Sequence, residues 1–177
     1  MVEVFPVDPK RGRLGAMSIT DEDLAHLERA VALAREAAAA GDGAFGSVLV
    51  DAAGVECFAD RNRETTLGDE TRHPEFEIAR WAATNMTAAE RASATVYTSG
   101  EHCPMCSAAH AWVGLGRIVF AASAAQIGRW RAEVGMAPSP VAALAITTIA
   151  PGLVAEGPVE QFADELRSLL VGEAAAP

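Results

Sequence analysis

Two short runs, His73-Pro74-Glu75 and His102-Cys103-Pro104-Met105-Cys106, gather the residue types that bind a metal and use it. Pro104 suits the first position of a helix, because its missing N–H would be unpaired there anyway. Cys103 is then expected to cap that helix, with Cys106 about one turn on. Both sulfurs converge at a helix end whose partial positive charge favours thiolates. His73 stands before Pro74 in the same way and is expected to cap a second helix. A catalytic tetrahedral zinc takes three protein ligands and keeps a fourth position for water. His73, Cys103 and Cys106 supply that set, for one zinc per chain. Glu75, two residues beyond the histidine, is placed to reach a zinc-activated water without binding the metal, and so to carry protons during hydrolysis.

Blander chemistries fit less of this pattern. A thioredoxin-like redox pair would use the C-x-x-C but leave His73 and Glu75 without a role. A purely structural zinc has no use for a carboxylate beside a ligand. Glu77 points well away from Glu75 on a helix and is expected to be solvated or ion-paired.

The elements that must position these residues can be traced from the pattern. Thr20 with Asp23 resembles a capping box, and Leu24, Leu27, Val31 and Ala34 recur at helical spacing until Gly41-Asp42-Gly43. Gly46 to Val50 and Val55 to Ala59 form an expected hairpin, and 61–72 is a polar loop. Helix is expected over 74–85, strand over 94–98, helix over 104–115, strand over 117–121 and helix over 124–134. Leu144 to Ile149 is expected as the last strand and Val159 to Leu170 as the last helix. Strands alternating with helices after a hairpin argue for an α/β protein with a mixed sheet covered on both faces. Residues 1–17 lack periodicity and are expected to be a flexible leader to a single domain over 18–177.

Composition limits the partners. The chain has 14 basic and 24 acidic residues, for a formal net charge of -10. Nucleic-acid affinity comes largely from neutralising phosphates. The one basic cluster, Lys10-Arg11-Arg13, lies in the expected leader, so no stable nucleic-acid binding is expected. Three cysteines do not make a disulfide framework, and no apolar run is long enough to span a bilayer. A cytoplasmic protein acting on a small, nearly neutral substrate is expected.

The paired motifs resemble the H-x-E…P-C-x-x-C signature of the cytidine-deaminase-like zinc deaminases, over about residues 44–134. The resemblance implies a three-layer α/β/α sandwich around a mixed five-stranded sheet, and a homodimer. Within that superfamily the chain looks most like the bacterial guanine and nucleobase deaminases. Ala44-Phe45-Gly46-Ser47 resembles their motif in which phenylalanine packs on the base. Asn62, eleven residues before His73, matches an asparagine that hydrogen-bonds the base. Trp112 matches a pocket tryptophan, and Glu133 falls near an acidic residue that takes the purine amidine edge. One departure is His102, where such families usually have proline; it is expected to point outward, leaving three protein ligands.

The reaction implied is zinc-dependent hydrolytic deamination of a free nucleobase or azine analogue, whether guanine-like, cytosine-like or an aminotriazine. The alternatives are a nucleoside deaminase, which needs extra room for ribose, and a tRNA adenosine deaminase, against which the acidic charge counts. From another class, a zinc-stabilised binding scaffold would share the ligands but have no need of Glu75.

Overall fold

The computed structural model describes residues 19–172. The expectations for the leader and for Lys10-Arg11-Arg13 lie outside the described residues. In chain order the elements are α1 (Asp21–Ala39), β1 (Gly46–Val50), β2 (Glu56–Arg61), α2 (Glu64–Leu67), α3 (Pro74–Asn85), α4 (Ala88–Ser93) and β3 (Thr95–Gly100). They continue with α5 (Pro104–Val113), β4 (Arg117–Ala122), α6 (Ala124–Glu133), α7 (Ile146–Ile149), β5 (Ala155–Glu156), a 3-10 turn (Glu160–Phe162) and α8 (Ala163–Gly172).

The five strands form one sheet in the order β2-β1-β3-β4-β5. β1 runs antiparallel to β2 and β3, whereas β4 is parallel to β3 and β5 parallel to β4. Successive side chains on a strand point to opposite faces, and the two cores follow that alternation. Val48, Val50, Tyr97, Val119 and Ala121 face α1, α6 and α8, packing with Leu27, Val31, Trp130, Phe162 and Leu166. Leu49, Val96, Ile118 and Phe120 face the other way, against Ile78, Ala79 and Ala82 of α3 and Ile146 of α7. The result is the three-layer α/β/α sandwich. Each fully buried Leu, Ile or Val contributes roughly 1.5–3 kcal/mol relative to exposure.

Local chemistry fixes α1 on the sheet. The Thr20 hydroxyl accepts from the Asp23 N–H at 3.2 Å, and the Asp23 carboxylate accepts from the Thr20 N–H at 2.8 Å, completing the expected capping box. Leu27, Ala30, Val31, Ala34 and Ala37 then line one buried stripe. Gly46 lets β1 approach this helix: a Cβ there would lie 2.4 Å from the Ala30 carbonyl oxygen. Asp23 is itself buried and ties α1 to the sheet, accepting from Tyr97 Oη at 2.7 Å and from both Arg117 terminal nitrogens at 2.6 and 3.1 Å. Arg117 also pairs with Glu156 of β5.

Three expectations need correction. The last strand is Ala155–Glu156, not Leu144 to Ile149, where the chain instead forms the single turn α7. Ile146 inserts into the core beside Phe120, and its N–H is bonded by the Glu101 carboxylate at 2.9 Å, a helix-start contact that β-branched content does not foretell. The expected loop 61–72 carries α2, and α4 lies in a stretch given no element. His102 does not point outward: it is 1% exposed and packs edge-on against His110, ring centroids 5.3 Å apart. Its neighbours in the chain are both fixed: the Glu101 carboxylate accepts from the Ala124 and Ile146 N–H groups, and Cys103 caps α5. No described helix is long and apolar enough to cross a membrane.

Candidate active site

His73 is the N-cap of α3 and Cys103 the N-cap of α5, each followed by proline at the first helical position. The two helices pack side by side on one face of the sheet, so their N-termini meet. His73 Nδ1 lies 3.7 Å from Cys103 Sγ and 3.6 Å from Cys106 Sγ, and the sulfurs are 3.6 Å apart. Tetrahedral zinc, with bonds of about 2.3 Å to sulfur and about 2.0 Å to nitrogen, requires S–S and S–N separations of roughly 3.8 and 3.6 Å. The donor set therefore fits zinc in both spacing and chemistry. Among the described residues these three form the one His/Cys/Asp/Glu group whose donor atoms all lie within 4.8 Å of one another.

The electrostatics point the same way. The Cys103 thiol is drawn down to about 4, first by its hydrogen bond with Cys106 and then by His73 against the cost of burial. Cys106 is pushed up by that same bond and by burial, so Cys103 is the more acidic of the pair. Burial opposes charge on His73, yet Cys103, Glu64 and Glu75 outweigh it and hold its pKa up at about 10. The negative groups around this imidazole favour positive charge there.

Glu75, in the first turn of α3, is 5% exposed. Burial pushes its pKa up, against the pull of His73 and Thr98. Its Oε1 lies 3.0 Å from Ser47 Oγ and 2.9 Å from Thr98 Oγ1. Ser47 and Thr98 are paired across β1 and β3, and their hydroxyls are 2.9 Å apart. Thr98 also reaches the Gly100 carbonyl at 2.9 Å. Each hydroxyl has one proton to give, so Glu75 Oε1 is held without being saturated. Glu75 Oε2 faces the ligands, 3.8 Å from Cys106 Sγ.

His73 is oriented from behind. Its Nε2 lies 2.8 Å from Glu64 Oε1, the carboxylate–histidine arrangement that fixes which ring nitrogen faces a metal. Asn62 orients Glu64 in turn, its Nδ2 donating to Glu64 Oε2 at 3.0 Å and its Oδ1 accepting from the Glu64 N–H at 3.0 Å.

The sequence-derived base contacts fall in different places. Phe45 packs against Gly100, where a Cβ would come within 2.9 Å of its ring. With Gly43, Asp42, Glu64 and Arg131 it lines a cavity of about 480 Å³, which His73, Glu75, Cys103 and Cys106 do not line. Asn62 is 1% exposed and lies next to Gly43. Trp112 and Glu133 do not line this cavity. Trp112 is 87% exposed on the outer side of α5, and Glu133 pairs with Arg167 of α8 at 2.9 Å on the surface. Sequence reasoning missed Ser47, Thr98 and Glu64. Ser47 and Thr98 carry a signal in the strand period, being hydroxyls at inward positions in line with Leu49 and Val96. Glu64 carries none, since only the fold brings α2 to His73.

His73, Cys103 and Cys106 form a group that could hold a metal ion, with Glu75 beside it. The model of the cytidine and deoxycytidylate deaminase zinc-binding region matches residues 20–122, more than half of the chain. The chain belongs to that family. It is 31% identical over 110 residues to a probable cytosine deaminase of Schizosaccharomyces pombe, covering 62% of this chain and 66% of that one. It is 38% identical over 97 residues to the guanine deaminase of Bacillus subtilis, covering 54% and 62%. These matches span just under two thirds of each relative's length. A solved structure of the guanine deaminase from Nitrosomonas europaea shares the fold, with a TM-score of 0.65 at 19% identity over 99% of each chain.

Proposed function

We propose that this chain removes an exocyclic amino group from a free nucleobase or azine analogue by zinc-dependent hydrolysis, releasing ammonia. The observation that carries the reading is the buried Glu75 carboxylate held by Ser47 and Thr98 beside a three-residue ligand group. A structural zinc site would have no use for it. Family membership and the guanine and cytosine deaminases among its relatives support the same reaction class.

His73, Cys103 and Cys106 would hold the zinc, which would supply the Lewis acidity that makes a water acidic near neutral pH. Glu75 accepts a proton from the attacking water through Oε2 and delivers it to the ring nitrogen beside the amino-bearing carbon. It then passes the water's second proton to the departing amine. The carbon gains oxygen, the C–N bond breaks, and ammonia leaves. Glu64 and Asn62 keep the imidazole aligned, and Phe45 gives the base an apolar wall.

Ammonia release over a panel of amino-bearing bases and nucleosides, with zinc assayed on the same sample, tests the proposal. Turnover of at least one free base with about one zinc per chain is expected. Stoichiometric zinc without turnover of any base overturns it, and exclusive turnover of nucleosides or tRNA replaces the substrate class.

A further inference from the structure

Glu64 reaches His73 from α2, and core packing does not hold α2 there. The helix has four residues, none of them buried, and Leu67 is 54% exposed. Arg63, its N-cap, makes no side-chain cap bond. A helix this short does not persist by itself, so polar ties decide where Glu64 stands. Two ties are local: Asn62 to Glu64, and the Arg63 N–H to the Arg72 carbonyl at 3.1 Å. Another comes from Asp42, in the loop between α1 and β1, whose side chain is fully buried. Its Oδ1 accepts from the Thr66 N–H at 2.7 Å, and its Oδ2 from the Thr66 hydroxyl at 2.6 Å and Arg61 at 2.8 Å. A carboxylate 24 residues back in the chain thereby does for α2 what an N-cap side chain does elsewhere. Asp42 is anchored in turn, its N–H donating to the Ala37 carbonyl at the end of α1 at 3.0 Å. Hydrogen bonds thus link α1 to His73 through Asp42, α2 and Glu64, whose Oε1 lies 2.8 Å from His73 Nε2.

We infer that Asp42 is a positioning residue of the metal-ligand group: by docking α2 it keeps Glu64 behind His73, and so keeps Nδ1 turned toward Cys103 and Cys106. The inference rests on the ligand set of the proposed function and not on its substrate. A buried pair with Arg61 alone would serve stability. Two of the three Asp42 bonds go instead to Thr66, on a helix that gives the core no side chain. What that helix delivers is the Glu64 carboxylate. Without Asp42, α2 is held at fewer points, and binding a metal must then also order Glu64 and the His73 ring, at a cost in affinity.

The test is a double-mutant cycle in zinc affinity, read by chelator competition on the full chain, so it needs no turnover. Asp42→Asn is expected to weaken zinc binding by about 3- to 30-fold, less than the loss in Glu64→Ala. On a Glu64→Ala background the same change is expected to have less than about a twofold effect, because its route to His73 is already cut. Thr66→Val, which removes one donor to Asp42 and spares the buried carboxylate, is expected to show a smaller loss that also vanishes on that background. It carries the cycle if Asp42→Asn does not fold. The thermal midpoint of the zinc-free protein is expected to fall on both backgrounds alike, which separates stability from metal binding. Losses in zinc affinity that multiply across the cycle, or an affinity unchanged in both single variants, would overturn the inference. Wild-type protein that binds no zinc would overturn it together with the proposed ligand set, whereas zinc binding without deamination would defeat the proposed reaction alone.

Discussion

At the residue scale, Glu75 and Glu64 divide two tasks between two carboxylates. Glu75 sits against the ligands with one oxygen tied to hydroxyls, while Glu64 lies behind His73. Glu75→Gln is expected to retain zinc and lower kcat by about 10²- to 10⁴-fold, the range for loss of a positioned proton carrier. Metal content and steady-state rates on the same preparation check it; an unchanged rate would remove Glu75 from the chemistry. Glu64→Ala is expected to do the reverse, weakening zinc affinity by about 10- to 100-fold, as is usual when the partner of a ligand histidine is lost. Competition with a chelator measures this directly.

At the element scale, the site depends on how the loop after β3 is pinned. Glu101 precedes His102 and Cys103, and its carboxylate accepts from the first N–H of α6 and of α7, both at 2.9 Å. These bonds satisfy helix-start donors that would otherwise lack partners. One side chain thereby holds the ligand loop to two elements distant in sequence. Glu101→Ala is expected to cost about 1–3 kcal/mol, since two N–H groups lose their acceptor. A lower denaturant midpoint at unchanged m would show it. His102 and His110 fill the other side of the loop, and their ring nitrogens, apart from His110 Nε2, have no protein partner. Such buried imidazoles favour the neutral form, and burial holds His110 down at about 4.

At the scale of the whole molecule, the tie between α1 and the sheet carries a pH dependence. Burial alone would raise the Asp23 pKa, but Arg117, Thr20 and Tyr97 outweigh it and hold it below the ordinary carboxylate value. A depressed folded-state pKa gives stability that is full above the unfolded value of about 3.9 and is lost as pH falls from there toward the folded value. Asp23→Asn is expected to destabilise by about 3 kcal/mol at neutral pH, because Arg117 loses a buried partner. It should also flatten the loss of stability below about pH 4. Urea titrations of both proteins from pH 3 to 7 test the two statements together, on the order of one point per pH unit. The net charge of -10 predicts no salt-dependent tRNA binding. Filter binding that tightens steeply as salt is lowered would contradict that.

What the sequence determined was set by short-range rules. Proline after His73 and after Cys103 announced two helix starts, and the strand period announced which side chains turn inward. The convergence of His73, Cys103 and Cys106 with Glu75 beside them, and a mixed sheet covered on both faces, were legible from these signals. The tertiary structure decided the rest, because distance in space is not encoded in local spacing. It turned Ile146 into a helix by giving its N–H to Glu101, buried His102 beside His110, and set Glu64 behind His73. It also put Trp112 and Glu133 on the surface. Each outcome depends on which elements pack together, and hydrogen-bond partners and burial follow from that packing alone.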